Sequence, residues 1–277
     1  MNLLVAALVL VGAVGVAVAG MYVVRRRAPA GGFYSDSNRA GAVFGVIGTA
    51  FAVLLAFVIF LAFESYDTAR RQAQHEADAV QELYATAYFL SPQKRDELQV
   101  QLICYSRSVI HEEWPAMKHQ GTSPVVDQSI VRFETSIFGF EPTEEQDKIA
   151  LSHWVDKNAA REDTRRGRIA EATPFVPSPV WAILLLGSVI TVVYMLSFAD
   201  SGERFLTQAL MIGAVTAIFV ASLLFVHFLD HPYENTYGSI QPVDMTRTLE
   251  VMNADQTASG RSIHVPCDAH GNEAVSR

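Results

Sequence analysis

The chain has 277 residues, half of them apolar and 18% charged, with 21 Lys+Arg against 29 Asp+Glu. A net charge of −8 gives no basic footprint for nucleic acid, and two cysteines are too few for a disulfide framework. Four stretches without Asp, Glu, Lys or Arg, each 19 to 24 residues long, match the thickness of a bilayer core and exclude an ordinary soluble domain or a disordered chain.

The first stretch is Leu3–Val24. Ala17-Val18-Ala19 before Gly20 resembles a signal-peptide cleavage site, but Met1-Asn2 supplies no basic leader. The apolar run also continues to Arg25-Arg26-Arg27, as a retained helix would. Residues 25–39 then form a short loop with four Arg and one Asp. Span two, Ala40–Phe63, opens with Gly41, Gly45 and Gly48. The spacing of Gly41 and Gly45 suits close helix packing through small residues, and ordinary glycine content explains it equally well. No Gly or Pro interrupts Glu64 through Leu90, so span two is expected to leave the bilayer as one long helix.

Punctuation divides residues 64–179 into helices near 64–90, 92–119, 124–139 and 144–172. Ser91-Pro92 and Ser123-Pro124 read as an N-cap followed by proline at the first helical position. Thr143-Glu144-Glu145-Gln146 reads as a capping box. Leu98, Leu102, Tyr105 and Val109 recur at helical spacing. Pro174, Pro177 and Pro179 mark re-entry into span three, Val180–Phe198, with Trp181 where an interfacial aromatic belongs. A polar turn, Asp200 to Arg204, joins it to span four, Leu210–Leu229, as an antiparallel hairpin. The tail from Asp230 is polar and reads as loosely ordered beyond about Glu250, and no targeting motif closes it at Ser276–Arg277.

The expected fold is an all-α membrane protein, with four transmembrane helices and a helical extramembrane domain inserted between spans two and three. Its segments are 1–63 (spans one and two with the basic loop), 64–179 (the helical domain), 180–229 (the hairpin) and 230–277 (the tail). Sidedness is contested. The four arginines of loop 25–39 place that loop in the cytoplasm and the helical domain outside. Arg70, Arg71, Arg161, Arg165, Arg166 and Arg168 flank the domain and nearly balance it. The expectation adopted is a bacterial cytoplasmic membrane with the domain extracytoplasmic. The domain and the tail then share an oxidising compartment in which Cys104 and Cys267 are free to pair.

Catalytic and metal chemistry find no seat. His111-Glu112-Glu113 begins like a zinc-protease helix, but position 115 is Pro where the second His should stand, so a kink at Pro115 with Trp114 packed inward is the simpler reading. His227 and His231 lie four apart around Asp230, and His264, Cys267, Asp268 and His270 cluster in the tail; both sets lack the residues to complete a convincing metal site. No nucleophile elbow, phosphate loop or CxxC pair is present, and no span carries a charge at its middle. No catalytic residue, metal ligand or cofactor is therefore assigned. Phe57, Phe60 and Phe63 climb one side of span two. Around an axis such rings would form a hydrophobic constriction; facing lipid or a neighbouring helix they are a plain apolar ridge, which is the simpler reading.

Several stretches together resemble the bestrophin-like family of bacterial membrane proteins: Ala50 to Phe57, Phe63-Glu64-Ser65-Tyr66, Glu76-Ala77-Asp78-Ala79, Glu112-Glu113-Trp114-Pro115, Pro179-Val180-Trp181, and Leu229-Asp230-His231-Pro232-Tyr233. The likeness covers roughly residues 40–250, and Glu112 to Pro115 is its most specific part. Tyr233 stands where Phe is expected. The resemblance implies kinship to bestrophins, pentameric chloride channels whose second span lines the pore and continues into a cytoplasmic helical domain. It therefore implies a homo-oligomer in the lipid bilayer passing chloride or another small anion, with Phe57, Phe60 and Phe63 at the pore and no calcium clasp. A non-conducting scaffold or sensor, whose acidic helical domain binds a partner, is the alternative.

Overall fold

A computed structural model describes residues 2–29, 33–34, 36–234, 236–261 and 263–273, and among these every regular element is helical. Ser276–Arg277 lie outside the described residues. Four helices are long and apolar enough to cross a membrane: α1 (Leu3–Arg27), α2 (Ser37–Thr86), α7 (Ser178–Leu196) and α8 (Phe205–Leu229). The helices between are α3 (Pro92–Ser108), α4 (Trp114–Met117), α5 (Pro124–Phe138) and α6 (Glu145–Ala170), and α9 (Val243–Ala258) follows α8. As the uninterrupted sequence suggests, α2 is a single helix of 50 residues. At 1.5 Å per residue it is about 75 Å long, more than twice the bilayer core.

The chain divides into two compact units. The first comprises Met1–Tyr66, Pro174–His231 and Thr236–Gly238. Its helices pack on two apolar cores. Ala17 and Met21 of α1 meet Ala199 and Ile212, and Phe51, Leu55, Val58 and Ala62 of α2 meet Leu184, Val226 and Leu229. Phe51 makes an edge contact with Phe219, with ring centroids 5.3 Å apart. The Phe51 ring also lies over Gly187 so closely that a Cβ there would collide with it.

The second unit comprises Asp67–Thr173, Pro232–Asn235 and Ser239–Arg277. Leu83, Leu98, Leu102, Ile103, Tyr105, Phe133 and Trp154 are buried in it, and Phe133 stands edge-on to both Tyr105 and Trp154. Ser123 caps α5 as its sequence suggests, its Oγ accepting from the Val125 amide at 3.2 Å.

Three expectations need correction. The helix read as 92–119 is interrupted by a π-turn at Val109–Glu113, just before Pro115. The capping box is not formed: Glu144 occupies the cap position of α6 without a side-chain bond, and the Gln146 amide donates to the Phe89 carbonyl instead. The tail is not loose. Residues 243–258 form α9, which buries Met245, Thr248 and Met252. Beyond α9, Cys267 is bonded to Cys104 across 163 residues, and both are buried. Arg107 donates to the Cys267 and Asp268 carbonyls, and Asp268 Oδ1 accepts from the His270 and Asn272 amides. Gly271 has φ +87°, and a Cβ there would come within 2.5 Å of the Ser108 nitrogen, so only glycine lets the strap lie this close to α3. Polar composition misleads here because beyond α9 covalent and hydrogen-bonded attachment, rather than an apolar face, holds the segment.

Candidate functional site

Three places bring the singled-out residues together. The first is the outward face of α2. Phe51, Leu55, Val58 and Ala62 are buried, whereas Phe57, Phe60 and Phe63 on the opposite side are 53–58% exposed. At 100° per residue Phe60 lies opposite Phe51, with Phe57 and Phe63 to either side of it. Gly41, Gly45 and Gly48 precede them. A Cβ at any of the three meets nothing within 4 Å, so among the described residues their spacing makes no close helix contact. The tight approach in this unit falls instead at Gly187, where a Cβ would collide with Phe51, while at Gly20 and Gly213 it would make ordinary contact with Leu196 and Val14.

The second place lies around Glu112-Glu113-Trp114-Pro115. The π-turn turns Glu113 and Trp114 inward together, while Glu112 stays half-exposed. Glu113 is fully buried and takes Arg168 Nη2 at 2.6 Å and Arg165 Nε at 3.2 Å. Arg168, also fully buried, bonds Glu76 through Nε and Nη2 and lies over the Trp114 ring at 5.0 Å. Tyr105 donates to Glu76 Oε1 at 2.6 Å. Arg165 reaches out to Asp127 at 2.7 Å, and buried Arg161 lies 3.7 Å from Glu134. Burial alone would push the Glu113 carboxyl up, but the Arg168 and Arg165 charges outweigh it and hold it below the ordinary carboxylate range. Burial next to Glu76 pushes the Tyr105 phenol upward, so it stays a neutral donor.

Each cation thus faces a carboxylate, and the cluster is an internal clamp between α2, the π-turn and α6. Three of its members, Arg161, Arg165 and Arg168, are in sequence only charges near the end of the helical domain. Their i, i+4, i+7 spacing is the signal that places them on one inward face of α6. Trp114 Nε1 donates to the Ile240 carbonyl at 3.1 Å.

The third place is the end of α8. Asp230, 3% exposed, accepts from the Val176 amide at 2.8 Å and faces Trp181 Nε1 at 3.4 Å, which fixes the chain entering α7. The Pro232 carbonyl accepts from Ile240, and Tyr233 uses its hydroxyl on the Ala69 carbonyl at 3.1 Å. That bond gives the departure from Phe a physical reason. His227 and His231 have ring centroids 4.3 Å apart, and His231 Nδ1 lies 3.0 Å from the His227 carbonyl. Cys267, bonded to Cys104, offers no thiolate to the tail cluster.

A family model described as the Bestrophin-like domain matches residues 11–244. A crystal structure of a bacterial bestrophin homologue from Klebsiella pneumoniae, carrying one substitution, superposes with TM-score 0.69 at 16% identity, covering 90% of this chain and 98% of that one. A second crystal structure of such a homologue from the same organism gives TM-score 0.67 at 16% identity over 90% of this chain and 98% of that one. Comparison with curated proteins finds no match. The Glu113 clamp and the Asp230 anchor lie within the matched residues, which make up well over half of the chain, and the chain belongs to the Bestrophin-like family.

Proposed function

We propose that the protein is an oligomeric membrane channel, permeable to small anions, in which copies of α2 surround the pore. The outward face of α2 carries this reading. Three phenylalanines stand on the side opposite the packed core and are more than half exposed. Around a symmetry axis they would form an apolar neck that gates by dewetting. The homologues' fold supports an assembly of this kind, and five copies is the number suggested by family analogy. Purified protein in chloride-loaded vesicles is expected to pass chloride, with Phe60→Ala changing conductance or gating. A correctly folded oligomer that stays silent would overturn the reading. A monomer or dimer by mass, recovered with a protein partner, would favour the scaffold alternative.

The orientation proposed is loop 25–39 in the cytoplasm and the helical domain outside, in a bacterial inner membrane. Four arginines in a short loop favour that side. The buried Cys104–Cys267 bond supports it independently, because reducing compartments keep such thiols apart.

A further inference from the structure

A cavity of about 510 Å³ opens in the first unit, at the end of the bundle where the loop after α1 meets the tip of the α7–α8 hairpin. Its walls are mainly apolar and aromatic, with Phe33, Tyr34, Phe44 and Phe198 among them. Tyr34 and Phe198 pack at 5.2 Å, Phe44 and Tyr194 stack at 5.7 Å, and the Tyr34 hydroxyl is paired with Ser197 at 2.9 Å. Against this wall stand three acceptor side chains, Asp200, Glu203 and Gln208.

Gln208 decides what the cavity wants. It is 6% exposed, and its Nε2 donates to the Asp200 carbonyl at 3.1 Å. A carbonyl only accepts, so the amide cannot be turned round, and Oε1 must point the other way. That oxygen is buried without a hydrogen-bond partner among the described residues. An orphaned acceptor beside carboxylates calls for a cation that carries N–H donors. Aromatic faces suit a cation further, and two carboxylates repel an anion. Arg25 lies next to this group, donating to the Ser201 and Glu203 carbonyls while its Nη1 is buried with no partner among the described residues.

We infer that this cavity binds an amphiphile with a primary ammonium head, the ammonium meeting Gln208 Oε1 and the acidic hairpin tip. The bilayer supplies that chemistry as phosphatidylethanolamine; a free long-chain amine supplies it without the phosphate. The site is independent of conduction and of the outward face of α2.

The experiment is intact-protein mass spectrometry of the full chain in mild detergent, with equal amounts of phosphatidylethanolamine, phosphatidylcholine and phosphatidylglycerol added. Phosphatidylethanolamine is expected to be retained about tenfold over phosphatidylcholine, which carries the same phosphate but no N–H donor. Gln208→Leu is expected to abolish that preference, and Gln208→Glu to keep it. Binding of dodecylamine that depends on Gln208, without lipid preference, would assign the ammonium site to a free amine. Equal retention of all three lipids with no Gln208-dependent amine binding overturns the proposal, as does preference for phosphatidylglycerol. Should the Gln208 variants fail to fold, the wild-type lipid competition and Glu203→Gln decide it on the same criteria.

Discussion

Arg168 has no exposed side-chain surface, yet it holds Glu76 and Glu113 at once. Removing one partner leaves a buried charge unmatched, which costs far more than the pair contributes. Glu113→Ala is therefore expected to destabilise the helical unit by about 3–5 kcal/mol, read by denaturant unfolding followed through Trp114 and Trp154 fluorescence. Acid should act the same way. The Glu113 carboxyl is held below its unfolded value, so its contribution is complete above the ordinary carboxylate range, near pH 4.3, and is lost as pH falls through the lower folded value. A melting temperature followed from pH 7 to pH 3 should drop on the acid side, and Glu113→Gln should flatten that limb. An unchanged acid limb in the variant would assign it to other carboxylates. The Glu-Glu-Trp-Pro run was legible as a motif, but its partners were not. They sit 52 and 55 residues away on α6, and only their helical spacing hinted at an inward face.

Among the elements, those with a single cause were the readable ones. Proline at N1 after serine starts both α3 and α5, and the run without Gly or Pro yields the unbroken α2. The π-turn was not readable, because the extra residue is accommodated for the sake of Glu113 and Trp114, whose partners are distant. The glycines show the same limit. Gly41, Gly45 and Gly48 have the spacing of a packing motif but meet nothing among the described residues, whereas Gly187, with no glycine at motif spacing, receives Phe51. A helix shows which residues are small, and only the neighbour's large residue shows which smallness matters. Gly187→Val should therefore cost about 1–3 kcal/mol through a displaced Phe51 ring, measured by thermal unfolding in detergent. Phe51→Ala in the same background should relieve part of that cost, giving a non-additive double mutant. Gly45→Val is expected to leave the unfolding of the single chain unchanged, and a large loss would place an unseen contact there.

At the scale of the whole molecule the Cys104–Cys267 bond closes 163 residues, a loop that contains α7 and α8. For a free chain, loop-closure entropy alone would give about 5 kcal/mol. Two of the helices inside this loop are membrane spans, which stay in the bilayer when the helical unit opens, so the chain between the cysteines never gains its full freedom. About 2–4 kcal/mol is the reasonable expectation, and Cys267→Ser should lower the melting temperature of the helical unit while leaving the spans assembled. The bond also tests orientation, since the hairpin of α7 and α8 returns the chain to the side it left. In spheroplasts an impermeant maleimide should label neither cysteine before reduction. After mild reduction with an impermeant phosphine and exposure to denaturant too weak to lyse the membrane, it should label both. Labelling that appears only once the membrane is opened would put the helical unit in the cytoplasm and overturn the orientation argued from the basic loop. Free thiols trapped by acid quenching of whole cells would go further and show that the bond does not form in the living membrane.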